Sequence, residues 1–282
     1  MKIQLKNIVK SIIHAIVALS RKTRIGQYLH AQVVSAAMEK VTQVSYHGMK
    51  IQFVTPNSLC EWRAKSFSTK EPETLEWINA IPESAILWDV GANVGLYSVY
   101  AAKKRNCKIW AFEPSIFNLE LLARNIFLNQ LAEKVCIVPL ALNSQLSASQ
   151  LRMTTTEWGG ALSTFGQDFG WDGKSIKQVF SFQTLGLSMN DAVQRLAIPQ
   201  PDYIKMDVDG IEHLILNGGA AVLQGIKSIL IEINDDFHEQ ADQCQSLLTQ
   251  AGLILTEKRH SEIIANSISG FQNSYNQIWV RP

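Results

Sequence analysis

The sequence predicts an α/β fold, a Rossmann-like and mostly parallel sheet flanked by helices, and three observations carry that prediction. Ile86, Leu87, Trp88 and Val90 form an apolar run short enough for a buried parallel strand. Gly91 and Gly95 bracket a turn directly after it, and Leu96 to Lys103 reads as the first helix of a βαβ unit. Lys108 to Phe112 (KIWAF) reads as the second strand and runs straight into Glu113-Pro114, 24 residues beyond Asp89. A carboxylate at that place can accept from both hydroxyls of a ribose, and Pro114 stops the strand and starts the next helix. The loop is Asp-x-Gly-x-x-x-Gly rather than the Gly-x-Gly-x-x-Gly that seats a pyrophosphate, so it suits a nucleoside without a diphosphate. Within it, Gly91 lets the backbone turn and approach a ligand, and Gly95 lets the helix start against the strand. Asp89 can accept from loop amides or from a cationic ligand group.

Composition sets the outer bounds. A chain of 282 residues that is 46% hydrophobic can bury one large core. Net charge is +1, so the whole chain carries no nucleic-acid footprint. The charge is uneven: residues 1–38 hold Lys2, Lys6, Lys10, Arg21, Lys22 and Arg24 and no acid, leaving −5 for the rest. Cys60, Cys107, Cys136 and Cys244 form no Cys-x-x-Cys pair, which argues against a zinc site or a disulfide framework and for a reducing, cytoplasmic compartment. Cys107 and Cys136 are expected in the core.

Two divisions are expected: a basic amphipathic helical extension over 1–43 and the main domain over 44–282. In residues 4–19, Leu5, Ile8, Val9, Ile12, Ile16 and Leu19 fall on one helical stripe flanked by Lys6, Lys10 and Arg21. The uncharged stretch inside it is too short to span a bilayer, and no small-residue cleavage pattern follows it. The stripe either docks on its own domain or on a second subunit, or lies on an anionic membrane surface, at the inner face of a membrane, through residues 1–24; an organelle presequence is a third reading. Val44 to Val54, with His47-Gly48 in the middle, reads as a β-hairpin, and Asn57 or Ser58 caps a helix through Lys65. Pro72, between Glu71 and Glu73, makes a helix start.

Beyond Glu113, a helix is expected over Ile116 to Asn129 and a third strand over Val135 to Leu140. Residues 144–182 break the alternation with Trp158-Gly159-Gly160, Phe165-Gly166 and Phe169-Gly170-Trp171, an insertion of hairpins and loops. Its aromatics either stack on sugar rings or pack the loops, and a segment this long is the first choice for acceptor recognition. A helix follows from Met189, then the fourth strand, Asp202 to Val208, in which Tyr203, Lys205 and Asp207 share one face. A lysine in a buried parallel strand is costly unless paired, so Lys205 beside Asp207 at the carboxyl end of a central strand marks either a structural ion pair or an active site. Ser228 to Ile233 is the fifth strand, and Leu253 to Glu257 with Gln277 to Val280 form the last two.

DVGANVGLYS followed by AFEP, with KEPETLEWI upstream and DYIKMDVDGIEHLILNGG downstream, resembles the FkbM family of methyltransferases in four ordered blocks from about Val44 to Val280. The resemblance implies a class I methyltransferase fold: a seven-stranded mostly parallel sheet with an antiparallel last strand, the N-terminal helical extension and the small hairpin being additions. It implies S-adenosylmethionine (SAM) as cofactor, gripped by Asp89, Gly91, Ala92, Asn93, Gly95, Tyr97, Glu113, Pro114 and Asp207, with Ala141 and Asn143 facing the adenine and Glu71 and Thr74 lining the cleft; Asn143 reads equally as a turn former, and Glu71 and Glu73 as mere caps of the helix. The family usually carries Glu where this chain has Asp209, which keeps the charge and shortens the reach. The implied reaction is attack by a hydroxyl of a sugar, glycoconjugate or natural product on the sulfonium methyl, which needs a base or a metal because such a hydroxyl is a weak acid. Asp207 is the first choice for base or acceptor-orienting group, tuned by Lys205. Asp209 and His213 are further candidates, though His213 reads equally as a helix-surface histidine. Asp207, Glu232 and Asn234 form an alternative Mg²⁺ ligand set. Competing readings are a nicotinamide oxidoreductase, a degenerate methyltransferase fold acting as a membrane-surface scaffold, and methylation of a protein or another small molecule; homo-oligomerisation is left open.

Overall fold

A computed structural model describes residues 2–260 and 270–282, with side chains from residue 8 onward. The expected roles of Lys2, Leu5 and Lys6 on the first helix therefore lie outside the described side chains.

The chain opens with a helical hairpin, α1 (Lys2–Ser20) and α2 (Arg24–Glu39), then a β-hairpin, β1 (Val41–Tyr46) and β2 (Met49–Val54). The expected boundary at 43/44 falls inside β1, because the strand pairs from Val41 with Val54. His47 and Gly48 make the turn with positive φ, as two-residue hairpin loops require. Next come α3 (Ser58–Lys65), α4 (Pro72–Ala80), β3 (Ile86–Val90), α5 (Leu96–Arg105), β4 (Lys108–Phe112), α6 (Ile116–Leu128) and β5 (Val135–Val138). The Asn57 side chain caps α3 by accepting from the Cys60 N–H at 2.8 Å.

The third strand is shorter than expected. It ends before Pro139, and β6 (Ala141–Leu142) joins a second sheet with β7 (Ser147–Met153), β8 (Ser163–Phe165) and β9 (Phe180–Leu187) in the order β6-β9-β7-β8. The 144–182 insertion is thus a sheet with long connections, and its last strand runs on to Leu187. The chain finishes with α7 (Met189–Leu196), β10 (Tyr203–Met206), α8 (Glu212–Asn217), α9 (Ala220–Gly225), β11 (Ser228–Asn234), α10 (His238–Gln250), β12 (Ile254–Arg259) and β13 (Ser274–Val280).

The main sheet has seven strands in the order β12-β13-β11-β10-β3-β4-β5. Pairing is parallel from β11 through β10, β3 and β4 to β5, and β13 inserts antiparallel between β11 and β12. Both faces are buried. Trp88, Phe112, Ile204, Met206 and Ile231 face one apolar cluster; Leu87, Ile109, Ala111 and Leu230 face the other. This two-residue alternation sends Lys205 and Asp89, neighbours in the β10–β3 register, towards the second face together. The strand order reverses at β3, where β10 and β4 leave on opposite sides, and in such sheets the crevice outside the carboxyl ends is the ligand-binding position.

Two expectations about burial are corrected. Cys107 is buried but Cys136 is exposed, because β5 is the sheet's edge strand. The apolar stripe of α1 does not dock on the domain: Ile8, Val9, Ile12, Ile16 and Leu19 are all exposed. No described helix is long and apolar enough to cross a membrane.

Candidate active site

A cavity of ≈ 420 Å³ opens at the carboxyl ends of β3, β4 and β10, and a smaller one of ≈ 40 Å³ adjoins it. Arg63, Lys70, Gly91, Asn93 and Asp207 line both. Glu113, Pro114, Ala141, Asp209 and Glu232 line the larger; Glu71, Ala92, Tyr97 and Lys205 line the smaller.

The loop after β3 is shaped by its neighbours. Gly91 has φ +82°, and a Cβ there would lie 1.8 Å from the Asp207 carbonyl oxygen. Glycine is thus required by the close passage of the β3 and β10 loops. Gly95 also has φ +82°, and its Cβ would lie 2.4 Å from Leu122 Cδ1, so its smallness serves α6 rather than the strand. Asn93, at φ +52°, donates its backbone N–H to Glu113 Oε2 at 2.8 Å and its amide to the Gly160 carbonyl at 2.8 Å. The Ser115 N–H donates to Glu113 Oε1 at 2.7 Å. Both carboxylate oxygens are therefore fixed at the cavity wall, each with a lone pair to spare. Burial pushes the Glu113 carboxyl up to about 7 against these two N–H donors.

The opposite wall comes from the insertion. Its 158–160 turn is held by Asn118, which accepts from the Gly159 N–H and donates to the Gly160 carbonyl, by Asn57 on the Trp158 carbonyl, and by Arg63 Nε on the Gly159 carbonyl at 2.7 Å. Asp209, at φ +63°, accepts the Leu162 and Ser163 N–H groups on Oδ2 at 2.7 and 3.3 Å. Leu140, Leu142, Leu151 and Phe165 then supply an apolar wall. The insertion's other aromatics pack loops: Trp171 stacks on Phe271 at 4.1 Å, and Phe169 meets Phe237 edge-on.

Between the walls lies a charge cluster. Lys205 Nζ is 3.2 Å from Asp207 Oδ2 and 5.1 Å from the centre of the Tyr97 ring. Lys70 pairs with Glu71, whose other oxygen accepts from the Thr74 hydroxyl. Burial alone would lower Lys205, but Asp207, Asp89 and Glu71 outweigh it and hold the ammonium above its ordinary value. Burial likewise opposes ionisation of Asp207, and Lys205 and Lys70 overcome it, keeping that carboxylate charged. Asp209 is pushed up to about 6 by burial and by Asp207, and Glu232 is driven well above the carboxylate range by the same two causes.

Several expected site residues lie outside both cavities. Asp89 is buried behind the loop, where Oδ2 accepts the Ser98 hydroxyl at 2.6 Å and Oδ1 has no partner. Asn143 turns its amide oxygen back to the Ser144 N–H, so Ala141 lines the cavity and Asn143 does not. His213 is neither a surface nor a cavity residue: it is 3% exposed, packed edge-on against Phe237, and burial lowers its pKa. Asn234 donates to the Trp171 carbonyl and accepts from the Asp236 N–H, which commits both ends of its amide. Asp207 and Glu232 of the alternative Mg²⁺ set line the larger cavity and Asn234 does not; among the described residues no group of three or more His, Cys, Asp or Glu side chains is placed to hold a metal ion. Arg63 and Lys70, the cations facing Asp207, escaped the sequence reading. Lys70 sits in a quoted block beside Glu71 and had a signal, whereas Arg63 is one basic residue on a short helix and had none.

The chain matches the family described as Methyltransferase FkbM domain over residues 89–260. It is 24% identical over 174 residues to hexuronic acid methyltransferase AglP of Haloferax volcanii, covering 61% of this chain and 66% of that protein. It is 37% identical over 75 residues to methyltransferase sdnD of Sordaria araneosa, covering 26% of this chain and 28% of that one. The chain thus spans less than two thirds of either relative. Among solved structures, it is similar to precorrin-6y C5,15-methyltransferase of Geobacter metallireducens (15% identity, 81% of this chain and 93% of that one, TM-score 0.43). It is also similar to M. jannaschii TYW2 in complex with AdoMet (12% identity, 86% and 87%, TM-score 0.44).

Proposed function

The chain belongs to the FkbM methyltransferase family, and we propose that it transfers a methyl group from SAM to a hydroxyl of a saccharide or related small-molecule acceptor. The observation that carries the proposal is one cavity joining Glu113, after β4, to Asp207, after β10, whose partner Lys205 lines the smaller cavity beside it. The cavity's volume is that of a small-molecule site. Its apolar wall at Leu140, Ala141 and Leu142 suits a flat base, Glu113 has lone pairs free for a diol, and the carboxylates beside Lys70 suit a cationic sulfonium and ammonium. The buried, unpartnered Asp89 Oδ1 is a further acceptor behind the same loop.

When bound, SAM supplies a methyl group already activated by its positive sulfur. The chain's own task is to align the acceptor and take its proton. Asp207, held ionised, is a weak base and a good hydrogen-bond acceptor, so it orients the attacking hydroxyl. Asp209, at about 6, is still ionised at neutral pH and more basic, so it is the better place for the proton. A sugar-like acceptor is favoured by the relative AglP, which is named a hexuronic acid methyltransferase.

The first test is calorimetric titration with SAM and, separately, with NADH. SAM binding without NADH binding is expected. Glu113→Ala should weaken SAM by about tenfold or more, given the loss of charge-assisted bonds to the ribose. A well-folded protein that binds no SAM would turn the reading to a scaffold role.

A further inference from the structure

Eleven large apolar side chains stand exposed on α1 and α2, half of all such residues described. On α1, Ile8, Ile12, Ile16 and Leu19 recur at spacings of three and four with Val9 and Ile13 beside them; on α2, Ile25, Leu29 and Val33 make a second stripe. Their exposure runs from 47% at Val9 to 75% at Ile25, so the domain covers none of them.

The hairpin is nonetheless built. Thr23 Oγ1 caps α2 by accepting from the Gly26 N–H at 3.0 Å, and Ser20 Oγ lies 2.6 Å from His30 Nε2. A Cβ on Gly26 would lie 1.8 Å from the Ser20 carbonyl oxygen, so only glycine lets the two helices meet this closely. At the far end Met38 is buried with Val54, Cys60, Val94 and Leu121. Cys60 belongs to α3, whose Trp62 and Arg63 line the cavity, so the hairpin is rooted beside the active-site wall.

Charge decides what covers these stripes. Residues 1–38 carry six cations and no acid, and Lys10, Arg21, Lys22 and Arg24 are exposed. Pairing with a second copy would bring two such segments together with no acid between them. A surface of negatively charged headgroups neutralises them and takes up the apolar faces at its acyl boundary. We propose that the α1–α2 hairpin lies in the plane of an anionic lipid surface and holds the catalytic domain against it. The proposal is independent of the methyltransferase reading.

The test is flotation of the full chain with vesicles of phosphatidylcholine alone or mixed with phosphatidylglycerol, with the mass in solution measured by light scattering. Binding is expected to the mixed vesicles, weaker by about tenfold or more to the neutral ones and weakened by added salt. Ile12→Glu/Ile16→Glu should abolish it, and Lys22→Glu/Arg24→Glu should weaken it by about tenfold. All four positions are exposed, so melting temperature and SAM affinity should stay at wild-type values. Absence of binding, or equal binding to neutral vesicles, would overturn the proposal. So would a dimer dissolved by Ile12→Glu/Ile16→Glu in a protein that ignores vesicles, since the second copy would then be the occupant.

Discussion

Lys205 is a cation placed inside a sheet buried on both faces, and its cost is offset by Asp207, Asp89 and Glu71 around it. Lys205→Met keeps the volume and strands three carboxylates. It should destabilise the protein by about 3–5 kcal/mol, read from urea denaturation, because breaking a buried pair leaves uncompensated charge. A loss below about 1 kcal/mol would mean that Lys70 and Arg63 already balance the cluster. Asp207→Asn should lower kcat by roughly 10²-fold or more while leaving the fold intact; full turnover with normal SAM affinity would remove its assigned role. The Lys205–Asp207 pair was legible in the sequence because strand alternation puts i and i+2 on one face. His213 was misplaced for the converse reason, and of the two readings of Asn143 the structure shows the turn. The side chain of His213 is directed by a neighbour, Phe237, that no local pattern brings close, and Asn143 by its own turn.

Secondary elements here are set locally, but loops are set by what passes beside them. The Gly91 turn was legible as a turn; that its tightness serves the Asp207 carbonyl was not, since β10 lies over a hundred residues away. Gly91→Ala should cost about 3 kcal/mol or more by urea denaturation, from the forced displacement and the positive φ together. Asn125 on α6 is a quieter case: its amide accepts from the Val54 N–H at 2.8 Å and donates to the Val94 carbonyl at 2.7 Å, tying the β-hairpin to the loop after β3. Asn125→Ala should cost about 1–3 kcal/mol for each group orphaned. A near-neutral result would mean that water replaces both bonds. The insertion was expected as hairpins and loops, and its strands do pair antiparallel. The short β6, two residues long, was invisible because it exists only through its partner β9.

Across the molecule, the buried carboxyls set the pH dependence of stability. Glu113, Asp209 and Glu212 are raised by burial to about 7, about 6 and about 8. The folded state thus binds more protons than the unfolded state from about pH 4 upwards, and stability falls as pH rises through this window. Asp207 and Glu71 are lowered, so their contribution is present above the unfolded carboxylate value and is lost as pH falls through their folded values. The melting temperature of the ligand-free protein should therefore peak near about pH 5 and decline towards about pH 8.5. Glu212→Gln, which keeps a neutral group beside Gln240 and the Val208 and Gly210 N–H donors, should flatten that decline. A melting temperature that climbs from pH 5 to 8 would contradict the burial of these groups. The sequence by itself determined the succession of strands and helices in the main sheet, the acidic tip after β4 and the family, because apolar runs, glycine turns and proline stops act over a few residues. Tertiary structure alone decided which carboxylates meet in one cavity and which cations balance them. It also left the α1 and α2 stripes facing outward, because a long-range contact depends on the whole path of the chain and leaves no mark in local spacing.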